Sequence, residues 1–282
     1  MAQRTNGNGA AAGLDGRTAV VTGAASGIGR ALAQRLAAHG SPVAICDWNE
    51  EGLEETAAAI SGPVFARKLD VSDRQAQLQF AAAVQEWAPR PIGLVVNNAG
   101  VTVSQTASEA AVEDDEWVMN VNFWGVVHGT RAFLPIFLKQ RSGVVANVSS
   151  VFGLMGFPTQ SAYCASKFAV RGYTESLRHE LKGSGVRATT IHPGGIRTNI
   201  VRNARFHVDD RGGTDHAAMA AEFAKIARTS PEKAAKTIHV GIEKGKDRIL
   251  IGPDATAISL LTRSVPVHYF DVVERLMGAV RR

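Results

Sequence analysis

The sequence predicts one α/β domain built on a doubly wound sheet of seven parallel strands. Short apolar runs of strand length alternate with longer helical patterns from residue 17 onward. Those runs lack polar alternation, which is the pattern of strands covered on both faces. No internal repeat or linker divides the 282 residues, so one core suffices.

Residues 1–13 hold mainly Gly, Asn and Ala with little to bury, so they are expected to be a disordered tail preceding a domain over 14–282. Strands are expected at 18–21, 43–46, 64–66, 93–96, 144–148, 186–191 and 248–251. Helices between them imply right-handed crossovers. After Gly27, the four-residue spacing of Ile28, Leu32 and Leu36 marks the inward face of a helix that ends at His39-Gly40. The stretch 116–138 differs, because Trp117, Val118, Val121, Phe123, Trp124, Val126, Val127, Phe133 and Phe137 occupy nearly every side of a helical wheel. A sheet covers only one side of such a helix. A subunit interface is expected to cover the rest, with loops of the same chain as the alternative.

The composition is 45% hydrophobic and 20% charged, and 31 Lys and Arg against 26 Asp and Glu leave a net charge of +5. The basic residues are scattered rather than clustered with aromatics, so nucleic-acid binding is not expected. Cys46 and Cys164 fall in a strand and a helix, which favours a reduced pair over a bridge. The polar opening stretch and the absence of an apolar run of roughly 18 residues lead to the expectation of a cytoplasmic protein without integral membrane association.

The first strand runs into TGAASGIG at 22–29 and then a helix. Gly23 allows a tight turn, Gly27 lets backbone N–H groups approach a pyrophosphate, and Gly29 permits close helix packing, while the helix N-terminus adds positive potential. Strand before and helix after make this a dinucleotide loop of a Rossmann-like fold. Eighteen residues on, Asp47 can accept from a ribose diol and would repel a 2′-phosphate, favouring NAD over NADP. A strand end or a helix cap is the alternative reading of Asp47. Asp70-Val71 is similarly open between an adenine contact and a cap.

Tyr163 and Lys167 are four apart and share one helical face with Val170, Thr174, Leu177 and Leu181. An ammonium beside a phenol is expected to lower the phenol pKa, as acid/base chemistry near neutrality requires. A core tyrosine with a lysine reaching out to solvent is the alternative. Ser150 stands at the C-terminal end of the fifth strand, where ligands of open α/β sheets sit.

Together TGAASGIG, Asp47, Asp70-Val71, NNAG at 97–100, Val121-Asn122, Ser150, Tyr163-x-x-x-Lys167 and Pro193-Gly194-Gly195 resemble the single-domain short-chain dehydrogenase/reductase family over residues 16–252. The resemblance implies Tyr163 as proton donor and acceptor, with Ser150 orienting the substrate oxygen. It implies Lys167 holding the nicotinamide ribose and Asn122, with Asn120 as fallback, anchoring a proton-relay water. It further implies a cofactor surface made by Gly23, Ser26, Gly27, Ile28, Gly29, Asp47, Asp70, Val71, Asn98, Ala99 and Gly100. Asn97 would line the adenine-ribose side with Asn98 and Gly100 while also tying strands together, and Pro193, Gly194, Ile196 and Thr198 would grip the carboxamide. Pairing through the helices after the fourth and fifth strands, as homodimer or homotetramer, is implied as well.

Residues 199–228 match the position of family lids, which close over substrates. There Arg202, Arg205 and Arg211 are open between receiving an anionic group and lying solvated. Phe152, Met155, Phe157 and Phe206 are candidates for an apolar pocket wall. Beyond Gly252 an extension, 253–282, carries a stripe of Phe270, Val273, Met277 and Val280 before Arg281-Arg282. Packing on its own or a partner subunit is expected, with a membrane-surface helix as the weaker alternative. The expected activity is NAD-dependent interconversion of a small-molecule secondary alcohol and a ketone, or a 3-oxoacyl-type carbonyl, without a metal. The alternative is a non-catalytic NAD-binding scaffold or sensor on the same fold.

Overall fold

The computed structural model describes residue 14 and residues 16–280, with side chains through Arg275. The tail expected at 1–13, the side chains of Met277 and Val280, and Arg281-Arg282 lie outside the described residues.

All seven expected strands form: β1 (Thr18–Thr22), β2 (Val43–Asp47), β3 (Val64–Lys68), β4 (Ile92–Asn97), β6 (Gly143–Val148), β7 (Val186–Pro193) and β9 (Arg248–Ile251). They pair in parallel in the order β3-β2-β1-β4-β6-β7-β9. The order reverses between β1 and β4, and at such a switch point the crossovers leave to opposite faces, opening a crevice at the carboxyl ends of the strands. A second sheet, not expected, pairs β5 (Val103–Ser104) with β8 (Arg205–Phe206).

Neighbouring strand residues point to opposite faces, which divides the core in two. On one face Val21, Ile45 and Val96 pack with Leu32 and Leu36 of α1 (Gly27–Ala38) and with Ile238 and Ile242 of α8 (Pro231–Glu243). On the other, Val20, Ala44 and Val95 meet Phe80 of α3 (Arg74–Trp87), Phe133 and Phe137 of α5 (Gly125–Gln140), and Leu177 of α6 (Ser161–Glu180). Each fully buried side chain of this size contributes about 1.5–3 kcal/mol of transfer free energy.

One expectation fails at the margin of the sheet. The run at 64–66 was grouped with strands covered on both faces, yet β3 is the outer strand, half-buried at Val64 and Phe65 and exposed from Ala66 to Lys68. Its charged end, Arg67 and Lys68, leaves that edge unsuited to pairing with another chain.

The apolar stretch at 116–138 is one helical rod in three parts: α4 (Val112–Met119), a five-residue π-helical segment Asn120–Trp124, and α5. Loops and helices of the same chain cover much of it. The Arg205 guanidinium lies 3.9 Å over Trp117, and Phe123 meets Tyr173 of α6 edge-on. Trp124 and Leu138 stay exposed, as does Phe168 on α6. Cys46 and Cys164 are free and buried, as expected of a reduced pair. No helix among the described residues is long and apolar enough to cross a membrane.

Candidate active site

At the end of β1 the chain enters the glycine loop, which the end of β4 clasps. Thr22 Oγ1 accepts from the backbone N–H groups of Asn98 and Ala99, both at 3.0 Å. The Asn98 amide in turn donates to the carbonyls of Thr22 at 2.9 Å and Gly23 at 3.1 Å. Gly23 (φ +66°) and Gly27 (φ +54°) adopt left-handed backbone conformations, which side chains disfavour. A Cβ at Gly29 would run into the Gly23 carbonyl.

Ser26 N-caps α1 with extended backbone but makes no side-chain cap bond. The starts of α2 (Glu50–Ala58), α3, α7 (His216–Ile226) and α8 are capped by Asn49, Asp73, Asp215 and Ser230. α1 shares the lack of a side-chain cap with α4 and α6, but only at α1 does a glycine loop precede the first N–H groups, Gly27 to Gly29, the arrangement a pyrophosphate requires. These features fit a dinucleotide.

The cap alternatives for Asp47 and Asp70 are set aside, because Asn49 and Asp73 cap those helices. The Asp47 carboxylate accepts from Ala25 N (2.9 Å) and Asn49 N (3.0 Å), which fixes it beside the glycine loop. Asp70 accepts from the N–H and hydroxyl of Ser72. Buried Val71 packs against Gly125. An open cavity of about 440 Å³ lies here, lined by Trp48, Arg67, Lys68, Asp70 and Asp73 among others.

Across the crevice, α6 presents Tyr163 and Lys167 inward, 9% and 3% exposed. Lys167 does not reach out to solvent: Nζ donates to the Val148 carbonyl at 3.2 Å and lies 5.5 Å from the Tyr163 ring centroid. Ser150, following β6, caps the short helical turn Val151–Gly153 by accepting from Phe152 N at 3.1 Å. Asn122 is fully buried in the π-helical segment, whereas Asn120 is exposed. Its side chain spans the Val101 backbone, accepting from the N–H at 2.8 Å and donating to the carbonyl at 2.9 Å, and it donates to Ser166 Oγ at 3.0 Å. A Cβ at Gly100 would stand 3.2 Å from both Asn122 Oδ1 and Lys167 Nζ. Asn122, Gly100 and Lys167 therefore meet at one point. Asn97 ties strands as expected, donating to Asn147 Oδ1 of β6 at 2.8 Å.

The electrostatics depart from the expectation that the ammonium acidifies the phenol. Burial pushes the Tyr163 phenol up to about 12, opposed by hydrogen bonding with Ser150. Burial likewise pushes Lys167 down to about 8. The ammonium sits over the ring and donates to a carbonyl, so desolvation decides both groups.

The segment after β7 closes the crevice. Gly194 N donates to the Ile251 carbonyl at 2.9 Å, buried Ile196 bridges to Thr229, and the Thr198 methyl approaches Gly27. Two residues here were not singled out from the sequence. Asp254, in α9 (Pro253–Ser264), accepts from Gly195 N at 2.6 Å. His192, buried at the end of β7, donates from Nδ1 to the Ser150 carbonyl at 3.0 Å. Burial holds its pKa down to about 4, so the ring is neutral. The helix signal for Asp254 was present, since a proline followed by an acid after a strand marks a helix start. Nothing local foretells either contact.

In the segment 199–228, Arg205 and His207 close on Asp114 of α4 at 2.6 and 2.7 Å. Burial would raise the Asp114 pKa, but these hydrogen bonds and charges hold it below the usual carboxylate range. Arg205 is thereby engaged, and Arg211 pairs with Glu222 at 3.5 Å. Arg202 is exposed. Of the expected aromatic wall, Phe152 stacks on Phe157 (5.2 Å between centroids, 12°), while Phe206 stacks on His216.

Comparison with known proteins adds four likenesses. The family model for short chain dehydrogenase matches residues 17–208. A Mycobacterium tuberculosis protein described as putative oxidoreductase SadH is 42% identical over 272 residues, covering 94% of this chain and 95% of its own. A solved short-chain dehydrogenase/reductase from Burkholderia phymatum, in complex with NAD, superposes with a TM-score of 0.80 at 30% identity, covering 89% of this chain and 94% of that one. The closed form of a serine dehydrogenase complexed with NADP+ gives 0.75 at 26% identity, over 84% and 95% of the two chains.

Proposed function

The chain belongs to the short-chain dehydrogenase/reductase family and is an oxidoreductase of that family, and from this premise we propose that it interconverts a secondary alcohol and a ketone, or a 3-oxoacyl-type carbonyl, using NAD. The observation that carries the reading is the meeting of Ser150, Tyr163, Lys167 and Asn122 beside a glycine loop whose following helix is left uncapped.

The bound dinucleotide supplies or accepts the hydride. The chain's own residues handle the proton and the geometry. Tyr163, protonated at neutral pH because its pKa lies near 12, gives its proton to the substrate oxygen in carbonyl reduction. Ser150 orients that oxygen and donates to the charge developing on it, and His192 holds the Ser150 backbone. Lys167, adjoining Gly100 and Asn122, binds the nicotinamide ribose, and Asn122 anchors the relay. Gly23, Ser26, Gly27, Ile28 and Gly29 take the pyrophosphate, and Asp70, Val71, Asn98 and Ala99 flank the adenosine. Pro193, Gly194, Ile196 and Thr198 hold the carboxamide, braced by Asp254. Asp47 favours NAD, since a carboxylate at the ribose repels a 2′-phosphate. Trp124, Leu138 and Phe168 supply apolar surface for pairing two or four copies through α5 and α6.

Purified protein incubated with reduced cofactor and a panel of ketones, followed by cofactor absorbance, tests this. Turnover with NADH is the expected result. Cofactor binding without turnover of any alcohol or ketone would leave the scaffold or sensor reading instead.

A further inference from the structure

The C-terminal extension turns back on the segment that follows Ser150. α10 (Tyr269–Val280) begins where the Tyr269 hydroxyl accepts the Gly156 N–H at 2.9 Å. The next residue, Phe270, meets Phe157 edge-on with 6.0 Å between centroids. Phe157 stacks on Phe152, and Phe152 stands edge-on to Tyr163 at 6.1 Å and 82°. Four rings therefore run without a gap from the proposed proton donor to the extension. The apolar surroundings continue around Tyr163 itself, where Val101, Trp117 and Ile200 pack with Phe152. Arg205 is held by Asp114 and stacked on Trp117.

Resting on the alcohol/ketone reading above, we infer that α10 forms the outer wall of the substrate pocket, with Phe152, Phe157 and Phe270 selecting substrates whose larger substituent is an apolar, aryl-sized group. Rings offered edge and face suit an aromatic guest, because offset and edge-to-face pairs add about 0.5–1.5 kcal/mol beyond their buried area. Tyr269 acts as a positioning residue: its hydroxyl satisfies the Gly156 N–H and so sets where Phe270 meets Phe157.

The test compares wild type, Phe270→Ala, Phe270→Leu and Tyr269→Phe with acetophenone and 2-butanone, in turnover and in calorimetric binding. For Phe270→Ala, the ratio of kcat/KM for acetophenone to that for 2-butanone falls on the order of tenfold. The loss lies in KM, and acetophenone binding weakens in parallel. Phe270→Leu and Tyr269→Phe shift the ratio less, in the same direction, with unfolding temperatures near wild type. A ratio unmoved by Phe270→Ala, whether both rates fall or neither does, overturns the inference. So does wild type that fails to bind acetophenone. If acetophenone binds, and binds less well to Phe270→Ala, yet no ketone is turned over, the wall stands and the oxidoreductase reading of the substrate falls.

Discussion

Replacing Lys167 with methionine removes a charge that the fold holds at a cost. The ammonium is 3% exposed, and burial lowers its pKa from 10.5 to about 8. At about 1.4 kcal/mol for each pH unit, keeping it charged inside costs about 3 kcal/mol at neutral pH. The substitution also deletes the bond to the Val148 carbonyl, worth about 1 kcal/mol. Lys167→Met is therefore expected to gain about 2 kcal/mol at pH 7 while losing activity, the trade that a destabilised functional site makes. The pH dependence carries the sign. Below pH 8 the lysine is protonated in both folded and unfolded chains, and the variant's advantage is full. As pH rises from 8 through 10.5, the folded protein releases its proton before the unfolded chain does, so wild type recovers stability and the advantage disappears. Tyr163 titrates above this window and is common to both proteins. Urea unfolding at intervals from pH 7 to 10 measures it. A variant less stable than wild type at pH 7, or a difference that does not change with pH, would refute the claim that desolvation governs Lys167.

Two further substitutions probe the cofactor side. Asp47→Ala should weaken NAD binding while sparing NADP, so the Kd for NAD relative to that for NADP rises by roughly tenfold or more, given about 1.5–3 kcal/mol for a hydrogen bond to a charged group; titrating both nucleotides into the variant checks this. Asp254→Ala, which frees the Gly195 N–H, should raise the KM for NAD several-fold, with ketone KM less affected. Steady-state kinetics with each substrate varied in turn would expose an equal effect on both, which argues for general destabilisation.

Much of this molecule was legible from short-range pattern. The seven strands and the glycine loop rest on local spacing, while the choice of Asn122 over Asn120 came from the family resemblance; Asn122 is buried and Asn120 exposed. Features made by distant pairs were not legible. The β5·β8 sheet, the Arg205 and His207 closure on Asp114, and the Asp254 brace join residues 59 to 102 apart. The exposure of β3 depends on its place at the edge of the sheet, which its own residues do not report. The raised Tyr163 pKa was misjudged for a related reason. Spacing puts an ammonium near a phenol, but only the packed site reveals that both are dry and that the ammonium is not aimed at the hydroxyl. The C-terminal extension packs on its own chain through Tyr269 and Phe270.

The central claim is that Tyr163 moves the substrate proton, and Tyr163→Phe tests it most directly. The account predicts that the variant binds NAD within a few-fold of wild type and loses ketone reduction by about 10²–10⁴-fold, the range for a removed general acid. A variant that reduces ketones at a near wild-type rate would contradict it.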